Sequence, residues 1–332
     1  MKIAILGCGF GTALSVLWDK SGHEVTAWTK YAEEIEEIQR FGEHRRLLPG
    51  VFVSNRIRFT TDIGCVKGAD FVVFAIPSRF VREVAQKVKT VIESKTIVLN
   101  VGKGFEEGSN KRLSEVLREE LPENPIVVMA GPCHAEEVGR GIPTSVVFAS
   151  EDSGCAELAQ EKLQTDTFRI YINDDTAGCE VAAALKNPIA LCCGIIEGMK
   201  LGDNTTAALM TRGLAEITRL GTAMGARWET FTGLAGVGDL IVTCTSAHSR
   251  NHRAGILIGE EIPASEAVRR VGTVEGYGCT KIAYEIAKRL GVRVPIIEQL
   301  YKICYEGSLP SESARALMGR PQRHEKEQFW NV

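Results

Sequence analysis

Short apolar runs separated by amphipathic stretches fill the first half of the chain. The strand-like runs are "KIAIL", "EVTAW", "DFVVFAI", "TIVLNV", "PIVVMA" and "TSVVFA". Several are apolar throughout, which is typical of parallel strands that are covered on both faces. Segments between them, such as "SRFVREVAQKVKTVI" and "NKRLSEVLREEL", carry apolar residues at helical spacing. The alternation predicts an α/β fold with a Rossmann-type doubly wound sheet.

The pattern changes near Thr176. Strand-like runs nearly vanish there, and helical patterns rich in Ala, Leu and Glu continue through Ala316. We therefore predict a dinucleotide-binding domain at residues 1–175 and an all-helical substrate and catalytic domain at residues 176–332. The polar end of the chain, "RPQRHEKEQFWN", is expected to pack little.

Composition limits the partners of the chain. It has 332 residues, of which 44% are hydrophobic and 24% charged, as expected of a soluble globular protein. The net charge of −3 gives no overall field that would attract nucleic acid or an anionic membrane. The longest apolar stretch, residues 181–199, is interrupted by Lys186, Asn187 and Glu197, so we do not expect it to span a bilayer.

Cysteine and histidine spacing argues against a metal centre. None of the ten cysteines forms a C-x-x-C pair, and among the six histidines only His248 and His252 have H-x-x-x-H spacing. The N-terminus does not resemble a signal peptide. We therefore expect reduced thiols, a cytoplasmic location and no bound metal.

Three glycines follow the first predicted strand in "ILGCGFGTALS". Gly7, Gly9 and Gly11 are spaced two apart, whereas the dinucleotide fingerprint G-x-G-x-x-G is one residue longer. Gly7 would make the tight turn, Gly9 would admit a pyrophosphate, and a helix opening at Thr12 would favour the phosphates. An ordinary flexible turn is the alternative. The following helix and second strand favour a shortened cofactor-binding turn, in which Phe10 does the packing that two residues usually share.

Lys30 stands just after the second predicted strand. An acid there would bind the ribose 2′-hydroxyl of NAD, so a lysine favours NADP or tolerance of both cofactors. The alternative is a solvated surface lysine without a role in binding.

Seven further motifs are more specific than the glycine turn. They are "AIPSRFVREV", "GKGFE", "AGPCHAEEVGRGIPT", "ALKNPIAL", "TRGLAEITRLG", "GLAGVGDLIVTCTSAHSRN" and "VEGYGCTK". Together they resemble the NAD(P)-dependent glycerol-3-phosphate dehydrogenases from Met1 to about Gly319. The resemblance implies reversible reduction of dihydroxyacetone phosphate to sn-glycerol 3-phosphate with NADP or NAD, which supplies glycerophospholipid synthesis. It implies a small-molecule substrate with no nucleic-acid or membrane partner, and it leaves a homodimer open.

The resemblance implies three catalytic residues. Lys186, in the apolar segment "AALKNP", would exchange the proton at the substrate oxygen, because a desolvated lysine shares its proton readily. Asp239 in "GVGDL" would pair with it, and Lys103 in "GKGFE" would contact substrate and cofactor. The alternatives are a snorkelling lysine and an aspartate that caps a helix. Pro188 should kink its helix or free a carbonyl near Ala184.

The remaining implied contacts fall in two groups. Substrate would be bound by the catalytic residues together with Gly131, Cys133, Ser249, Arg250 and Asn251. The cofactor would be bound by Gly7, Gly9, Phe10 and Gly11 of the glycine turn, by Lys30 and Lys103, and by Ala135, Arg250, Thr273 and Glu275. Guanidinium and amide groups in "SRN" suit phosphate oxygens. Cys133 stands where the family has a hydroxyl residue, and a thiol is the weaker donor.

Two other functions stay open at this point. A related two-domain reductase would act on a different small hydroxy acid, although the "SRN" segment favours a phosphorylated substrate. A non-catalytic NAD(P)-binding sensor would need no proton donor, so Lys186, Asp239 and Lys103 argue against it. A nucleophilic Cys133 is a further alternative, but hydride transfer needs no covalent step.

Overall fold

The computed structural model describes residues 1–322, 324 and 325. The chain divides into two compact units, Met1–Thr176 and the residues from Ala177 onward. Most of the polar C-terminal segment lies outside the described residues.

The first unit is built on one eight-stranded sheet in the order β3-β2-β1-β4-β5-β6-β7-β8. Neighbouring strands are parallel except for β6 and β7, which are antiparallel. The order reverses direction at β1, which confirms the predicted Rossmann-type α/β fold. The strands are β1 Lys2–Leu6, β2 Glu24–Trp28, β3 Arg58–Thr60, β4 Phe71–Phe74, β5 Ile97–Asn100, β6 Ile126–Ala130, β7 Thr144–Ala149 and β8 Phe168–Asn173.

Helices cover both faces of this sheet. Ile3 and Ile5 of β1 belong to one buried apolar cluster, whereas Ala4 and Leu6 belong to another. A strand buried on both faces needs apolar residues at every position, which explains the continuous runs in the sequence. The helices are α1 Phe10–Lys20, α2 Ala32–Phe41, α3 Val81–Val88, α4 Leu113–Glu120, α5 Ala135–Arg140 and α6 Ser153–Leu163, with 3₁₀ turns at Ile63–Val66 and Ser78–Phe80.

Two strands and one helix start differ from the sequence prediction. Strand β3 has only three residues and none is fully buried, so it leaves almost no apolar signal. Strands β3 and β8 are the two outer strands of the sheet. Strand β8 alternates buried with exposed residues over its first half. Helix α1 begins at Phe10 rather than at Thr12, because the shortened turn leaves no residue between Gly9 and the first helical turn.

The second unit is helical in its described part. Its helices are α7 Thr176–Gly198, which starts at the end of the first unit, α8 Asp203–Ala223, α9 Trp228–Phe231, α10 Asp239–Thr245, α11 Arg250–Gly259, α12 Ala264–Val271, α13 Glu275–Leu290, α14 Pro295–Tyr301 and α15 Pro310–Met318. Two π-helical turns occur at Leu234–Gly238 and Lys302–Glu306.

Helix α7 forms the core of this unit. By length and composition alone it could cross a membrane, but 89% of its most apolar window is buried inside the protein. It packs backbone to backbone against α11, since a Cβ on Gly194 would lie 2.0 Å from the carbonyl oxygen of His252. A Cβ on Gly255 of α11 would likewise lie 2.2 Å from the oxygen of Leu191. This close approach brings the start of α11 beside the middle of α7.

Candidate active site

Lys186 lies in the middle of α7 with only 5% of its surface exposed. Its Nζ donates hydrogen bonds to Oδ1 of Asp239 at 2.6 Å and to Oγ1 of Thr243 at 2.5 Å. The snorkelling interpretation is therefore wrong, because the ammonium ends in buried polar contacts and not in solvent. A buried charge is tolerated only with such partners.

Asp239 and Thr243 lie one turn apart on α10, so both side chains reach the same point. Both residues are buried. The Thr243 hydroxyl donates to the backbone oxygen of Asp239 at 2.6 Å, which leaves the Thr243 oxygen as an acceptor for the ammonium. Asp239 is the first residue of the helix and Gly238 is its N-cap, so the alternative role of Asp239 as N-cap is also wrong.

The glycine-rich segment before Asp239 forms the π-helical turn Leu234–Gly238. A Cβ on Gly236 would lie 2.0 Å from the backbone oxygen of Phe231, so only glycine fits there. The special geometry expected for this segment is thus a widened helical turn with close backbone contact. It sets the start of α10 and with it the position of the Asp239 carboxylate.

Pro188 leaves α7 continuous but removes one of its backbone donors. The carbonyl of Ala184, four residues earlier, accepts a hydrogen bond from Sγ of Cys279 on α13 at 3.3 Å. The expected free carbonyl therefore has a partner supplied by another helix. This contact ties α13 to the segment that carries Lys186.

Asn251 connects three helices of the second unit. Its Nδ2 donates to Oδ1 of Asn187 at 3.0 Å, and its Oδ1 accepts the N–H of Gly276 at 2.8 Å. A Cβ on Gly276 would lie 2.6 Å from the backbone oxygen of Asn187, so α13 approaches α7 closely. The Asn251 amide has a second hydrogen, which a phosphate oxygen can accept.

The neighbouring predicted residues surround the start of α11 and α13. Ser249 is buried and caps α11, because its Oγ accepts the N–H of His252 at 3.2 Å. Arg250, the first residue of α11, is exposed. Thr273 and Glu275 are half-buried, and Glu275 begins α13, immediately before the glycine that Asn251 contacts. The structure thus groups these four residues through Asn251 and the start of two helices.

In the first unit the glycine turn joins β1 to α1. Gly7 has φ of 113°, and a Cβ there would lie 2.4 Å from the Ala75 oxygen. A Cβ on Gly11 would lie 2.9 Å from Cγ2 of Ile5, whereas a Cβ on Gly9 would meet nothing within 4 Å. Gly7 and Gly11 therefore serve the fold, and the space above Gly9 is open to a ligand.

The start of α1 suits an anion. It has no side-chain cap and no acidic residue in its first turn, so its backbone N–H groups are not covered by a carboxylate. Phe10 is half-buried and packs against the apolar cluster beneath the sheet, as expected for the shortened turn. These features fit the pyrophosphate of a dinucleotide.

Lys103 brings three predicted residues together beyond the ends of β5 and β6. Its Nζ donates to the backbone oxygen of Gly131 at 2.9 Å and contacts Sγ of Cys133 at 3.3 Å. The Cys133 thiol donates to the same Gly131 oxygen at 3.2 Å. The thiol therefore makes the contacts that a hydroxyl would make at this place. Ala135 begins α5 two residues further on.

Lys30 is exposed beyond the end of β2. Its Nζ lies over the rings of Tyr31 and Phe80, at 5.0 and 4.6 Å from the ring centroids. It lies at the same end of the sheet as the glycine turn, because β1 and β2 are parallel neighbours and both residues follow the carboxyl ends of these strands.

None of the ten cysteines, all of which the structure describes, forms a disulfide, and most are buried. Burial raises the pKa of Cys8 to about 12 and that of Cys304 to about 12. A hydrogen bond with Cys193 and burial raise the pKa of Cys244. These thiols behave as small apolar core residues.

Thr243 is the functional residue that the sequence interpretation missed. Its signal was present, since a position four residues after Asp239 on a helix shares its face. A threonine in an apolar helix is ordinary, however, and Thr243 is distinguished from Thr245 of the same helix by its contact with Lys186.

The family profiles and the curated sequence relatives agree on one family. The profile for the NAD-dependent glycerol-3-phosphate dehydrogenase N-terminus matches residues 2–156, and that for the C-terminus matches residues 175–315. A glycerol-3-phosphate dehydrogenase [NAD(P)+] of Desulfitobacterium hafniense is 51% identical over 98% of this chain and 94% of its own length. One from Thermoanaerobacter is 47% identical over 98% of this chain and 99% of its own length.

A solved structure agrees with these sequence relatives. The crystal structure of glycerol-3-phosphate dehydrogenase from Coxiella burnetii has a TM-score of 0.92 and 35% identity to this chain. The match covers 96% of this chain and 99% of that one, so it extends over both units.

Proposed function

Since this chain belongs to the NAD-dependent glycerol-3-phosphate dehydrogenase family, we propose that it reversibly reduces dihydroxyacetone phosphate to sn-glycerol 3-phosphate with NAD(P)H. The chain is thus an NAD(P)-dependent oxidoreductase. The predicted family and enzyme class are confirmed by the relatives, whereas the residue roles below are our proposal.

The observation that carries the proposal is the buried Lys186 ammonium, which Asp239 and Thr243 hold by hydrogen bonds. Reduction of a ketone adds a hydride to carbon and a proton to oxygen, so the site needs a proton donor of fixed direction. The contacts at 2.6 and 2.5 Å hold Nζ in place before any substrate arrives. Fixed geometry of this kind lowers the cost of reaching the transition state.

Each residue of this centre has one task in the proposal. Lys186 gives a proton to the C2 oxygen during reduction, and its neutral amine accepts that proton back during oxidation. Asp239 favours the charged form of Lys186 before the step, and Thr243 fixes the direction of Nζ. A nicotinamide cofactor, when bound, supplies or accepts the hydride.

Substrate phosphate would be held by the start of α11. The proposed phosphate site consists of the Arg250 guanidinium, the second amide hydrogen of Asn251 and the Ser249 hydroxyl. The exposed position of Arg250 supports this proposal. Lys103, Gly131 and Cys133 form the remaining proposed substrate contacts, which rest on their mutual hydrogen bonds.

We also propose a division of tasks between the two units. The first unit would bind the dinucleotide through the glycine turn, Lys30, Lys103 and Ala135, and the fit of the turn to pyrophosphate supports this. The second unit would supply the catalytic centre and the cofactor contacts Arg250, Thr273 and Glu275. Ten free thiols support a reducing, cytoplasmic location.

The direct test is oxidation of NADPH or NADH after addition of dihydroxyacetone phosphate. We expect turnover with this ketone and none with its unphosphorylated analogue dihydroxyacetone. Turnover only with another ketone would identify a related reductase instead. Normal cofactor binding without any turnover would identify a sensor.

The phosphate site has its own test. Arg250→Ala should raise the KM for dihydroxyacetone phosphate by about tenfold to a hundredfold, because it removes a charged contact to the phosphate. The matched control is Arg253→Ala, which removes an exposed arginine of the same helix. Equal KM values in the two variants would show that the phosphate binds elsewhere.

A further inference from the structure

Two cations share one aromatic ring at the cofactor edge of the sheet. Nζ of Lys30 lies 4.6 Å from the centroid of the Phe80 ring, and Cζ of Arg79 lies 4.8 Å from the same centroid. Phe80 is half-buried and packs against the apolar cluster on its face of the sheet. The half-buried ring therefore supports two exposed cationic side chains.

Sheet topology explains why these residues meet. Lys30 follows β2 and Arg79 follows β4, and these are the two strands that pair with β1. Strand β1 leads directly into the glycine turn. Both cations therefore lie on the edge of the sheet where a dinucleotide places its adenosine ribose.

Neither cation is neutralised by a carboxylate. Among residues 1–322, 324 and 325, no acid lies within ion-pair distance of Lys30 or Arg79. Lys87, and to a smaller extent Lys30, lowers the pKa of Glu83, and the Glu83 carboxylate accepts a hydrogen bond from Lys87 at 2.6 Å. The edge consequently carries two positive charges that are available to an anion.

One of the two acids in the first turn of α2, Glu34, already has partners within the protein. Glu34, in the first turn of α2, is buried and accepts the hydroxyl of Thr29 at 2.6 Å. Its other carboxylate oxygen accepts from Arg46 at 2.8 Å. Glu34 is therefore not available to bind a ribose 2′-hydroxyl.

We propose that Arg79 is a second specificity-determining residue, which together with Lys30 binds the 2′-phosphate of NADP over the Phe80 ring. This proposal rests on the proposed function and extends it, since it assigns the cofactor preference to two cations instead of one. Arginine offers a planar pair of donors to a phosphate, whereas lysine offers a compact charge. The two side chains can therefore contact different oxygens of one phosphate.

The test measures binding and needs no turnover. Adenosine 2′,5′-bisphosphate and adenosine 5′-monophosphate differ only in the 2′-phosphate, and calorimetry gives the dissociation constant of each. Arg79→Gln and Lys30→Gln should each weaken binding of the bisphosphate by about tenfold and leave the monophosphate within about twofold. Lys89→Gln is the matched control, because it removes an exposed lysine at the far end of α3.

The dissociation constants of NADPH and NADH complete the test. We expect wild type to prefer NADPH, and Arg79→Gln to lose most of that preference by weakening NADPH alone. An unchanged preference in Arg79→Gln would overturn the proposal and leave the dehydrogenase function intact. Failure of wild type to bind either dinucleotide would overturn both.

Discussion

The catalytic centre of the helical unit and the cofactor edge of the sheet use lysine in opposite ways. Lys186 is buried, and a carboxylate and a hydroxyl of the protein hold its ammonium. Lys30 is exposed, and within the described part of the chain its ammonium lies over the rings of Tyr31 and Phe80 without an ion-pair partner. The first arrangement fixes one nitrogen in one place, and the second leaves a charge free to meet a ligand.

The difference follows from the work each region does. Proton transfer requires a donor of fixed distance and direction, so the energetic cost of burying an ion pair is offset by the order it creates. Recognition of a phosphate requires cations that no protein carboxylate already neutralises. The comparison predicts that substitutions in the two regions affect rate and binding separately.

The largest expected effect is on the rate after loss of the buried ammonium. Lys186→Met keeps the length of the side chain but removes the proton donor and leaves Asp239 without its cation. We expect kcat to fall by about 10³-fold to 10⁵-fold, while the dissociation constant of NADPH changes by less than about threefold. Single-turnover kinetics and fluorescence titration measure the two quantities.

The control for this variant is Lys281→Met, which removes an exposed lysine from α13 of the same unit. It should leave both quantities unchanged. If Lys186→Met retained more than about a tenth of the wild-type kcat, the proton would have to come from another group.

Two glycines of the same turn should separate folding from cofactor binding. Gly7→Ala places a Cβ 2.4 Å from the Ala75 oxygen at positive φ, so we expect a loss of roughly 3 kcal/mol in the free energy of unfolding. Gly9→Ala meets nothing within 4 Å and should leave stability unchanged within about 0.5 kcal/mol. It should weaken NADPH binding by about tenfold, because its Cβ enters the space of the pyrophosphate.

Denaturant unfolding and NADPH titration of both variants check this pair. If the Gly9→Ala variant bound NADPH as tightly as wild type does, the open space above this residue would not be the cofactor site. Gly7→Ala that unfolds like wild type would show that the turn relaxes without cost.

The hydroxyl of Thr243 should have a smaller effect on the rate. Thr243→Val keeps the shape of the side chain but removes one acceptor of the Lys186 ammonium, so kcat should fall by about tenfold with KM unchanged. Thr243→Ser restores the hydroxyl and should regain most of the rate. Thr245→Val is the matched control, since Thr245 is exposed on the same helix and its hydroxyl donates to the backbone oxygen of Ile241 in the preceding turn.

A purely structural role of Thr243 would give a different result. Thr243→Val would then lower stability without a change in the pH dependence of kcat, and Thr243→Ser would not restore the rate.

The sequence predicted the fold well wherever burial is uniform. The strands buried on both faces, such as β4 and β5, were visible as continuous apolar runs. Strand β8 was missed because it is an edge strand whose Arg169 and Tyr171 are exposed, so its pattern is mixed. Strand β3 is recognised by its pairing with β2, and a segment of three residues is too short to show a strand pattern in the sequence.

Only those residues of the candidate site that belong to recognisable sequence motifs could be predicted from the sequence. The resemblance singled out Lys186 and Asp239, and the structure puts them in contact. It did not single out Thr243, because the role of that hydroxyl depends on how α7 and α10 pack. Nor did the sequence show that Arg79 shares a ring with Lys30, since these residues belong to different strand ends.

A buried carboxyl group of the helical unit, Glu216, tests how general the contrast is. Glu216 of α8 is buried in the helical unit, and its two carboxylate oxygens accept the backbone N–H groups of Ile296 and Ile297 at 2.9 and 2.8 Å. Burial raises its pKa to about 8, against the lowering effect of these two donors and of Arg320 and Arg212. Unlike Lys186, this group is therefore held by neutral donors rather than by a buried ion of opposite charge.

The raised pKa of Glu216 makes the free energy of unfolding depend on pH. A carboxyl group with a raised pKa binds its proton more tightly in the folded protein, so its contribution to stability is complete below pH 4.5 and is lost as pH rises to about 8. Glu216→Gln cannot ionise, so its stability relative to wild type should rise by roughly 1 to 3 kcal/mol between pH 5 and pH 9. Denaturant unfolding at several pH values measures this difference, with the exposed Glu229→Gln as control. The opposite result would be a free energy of unfolding of wild type that rises relative to that of Glu216→Gln as pH rises. The two backbone donors would then stabilise the carboxylate more than burial penalises it, and a buried charge in this unit would need no ionic partner.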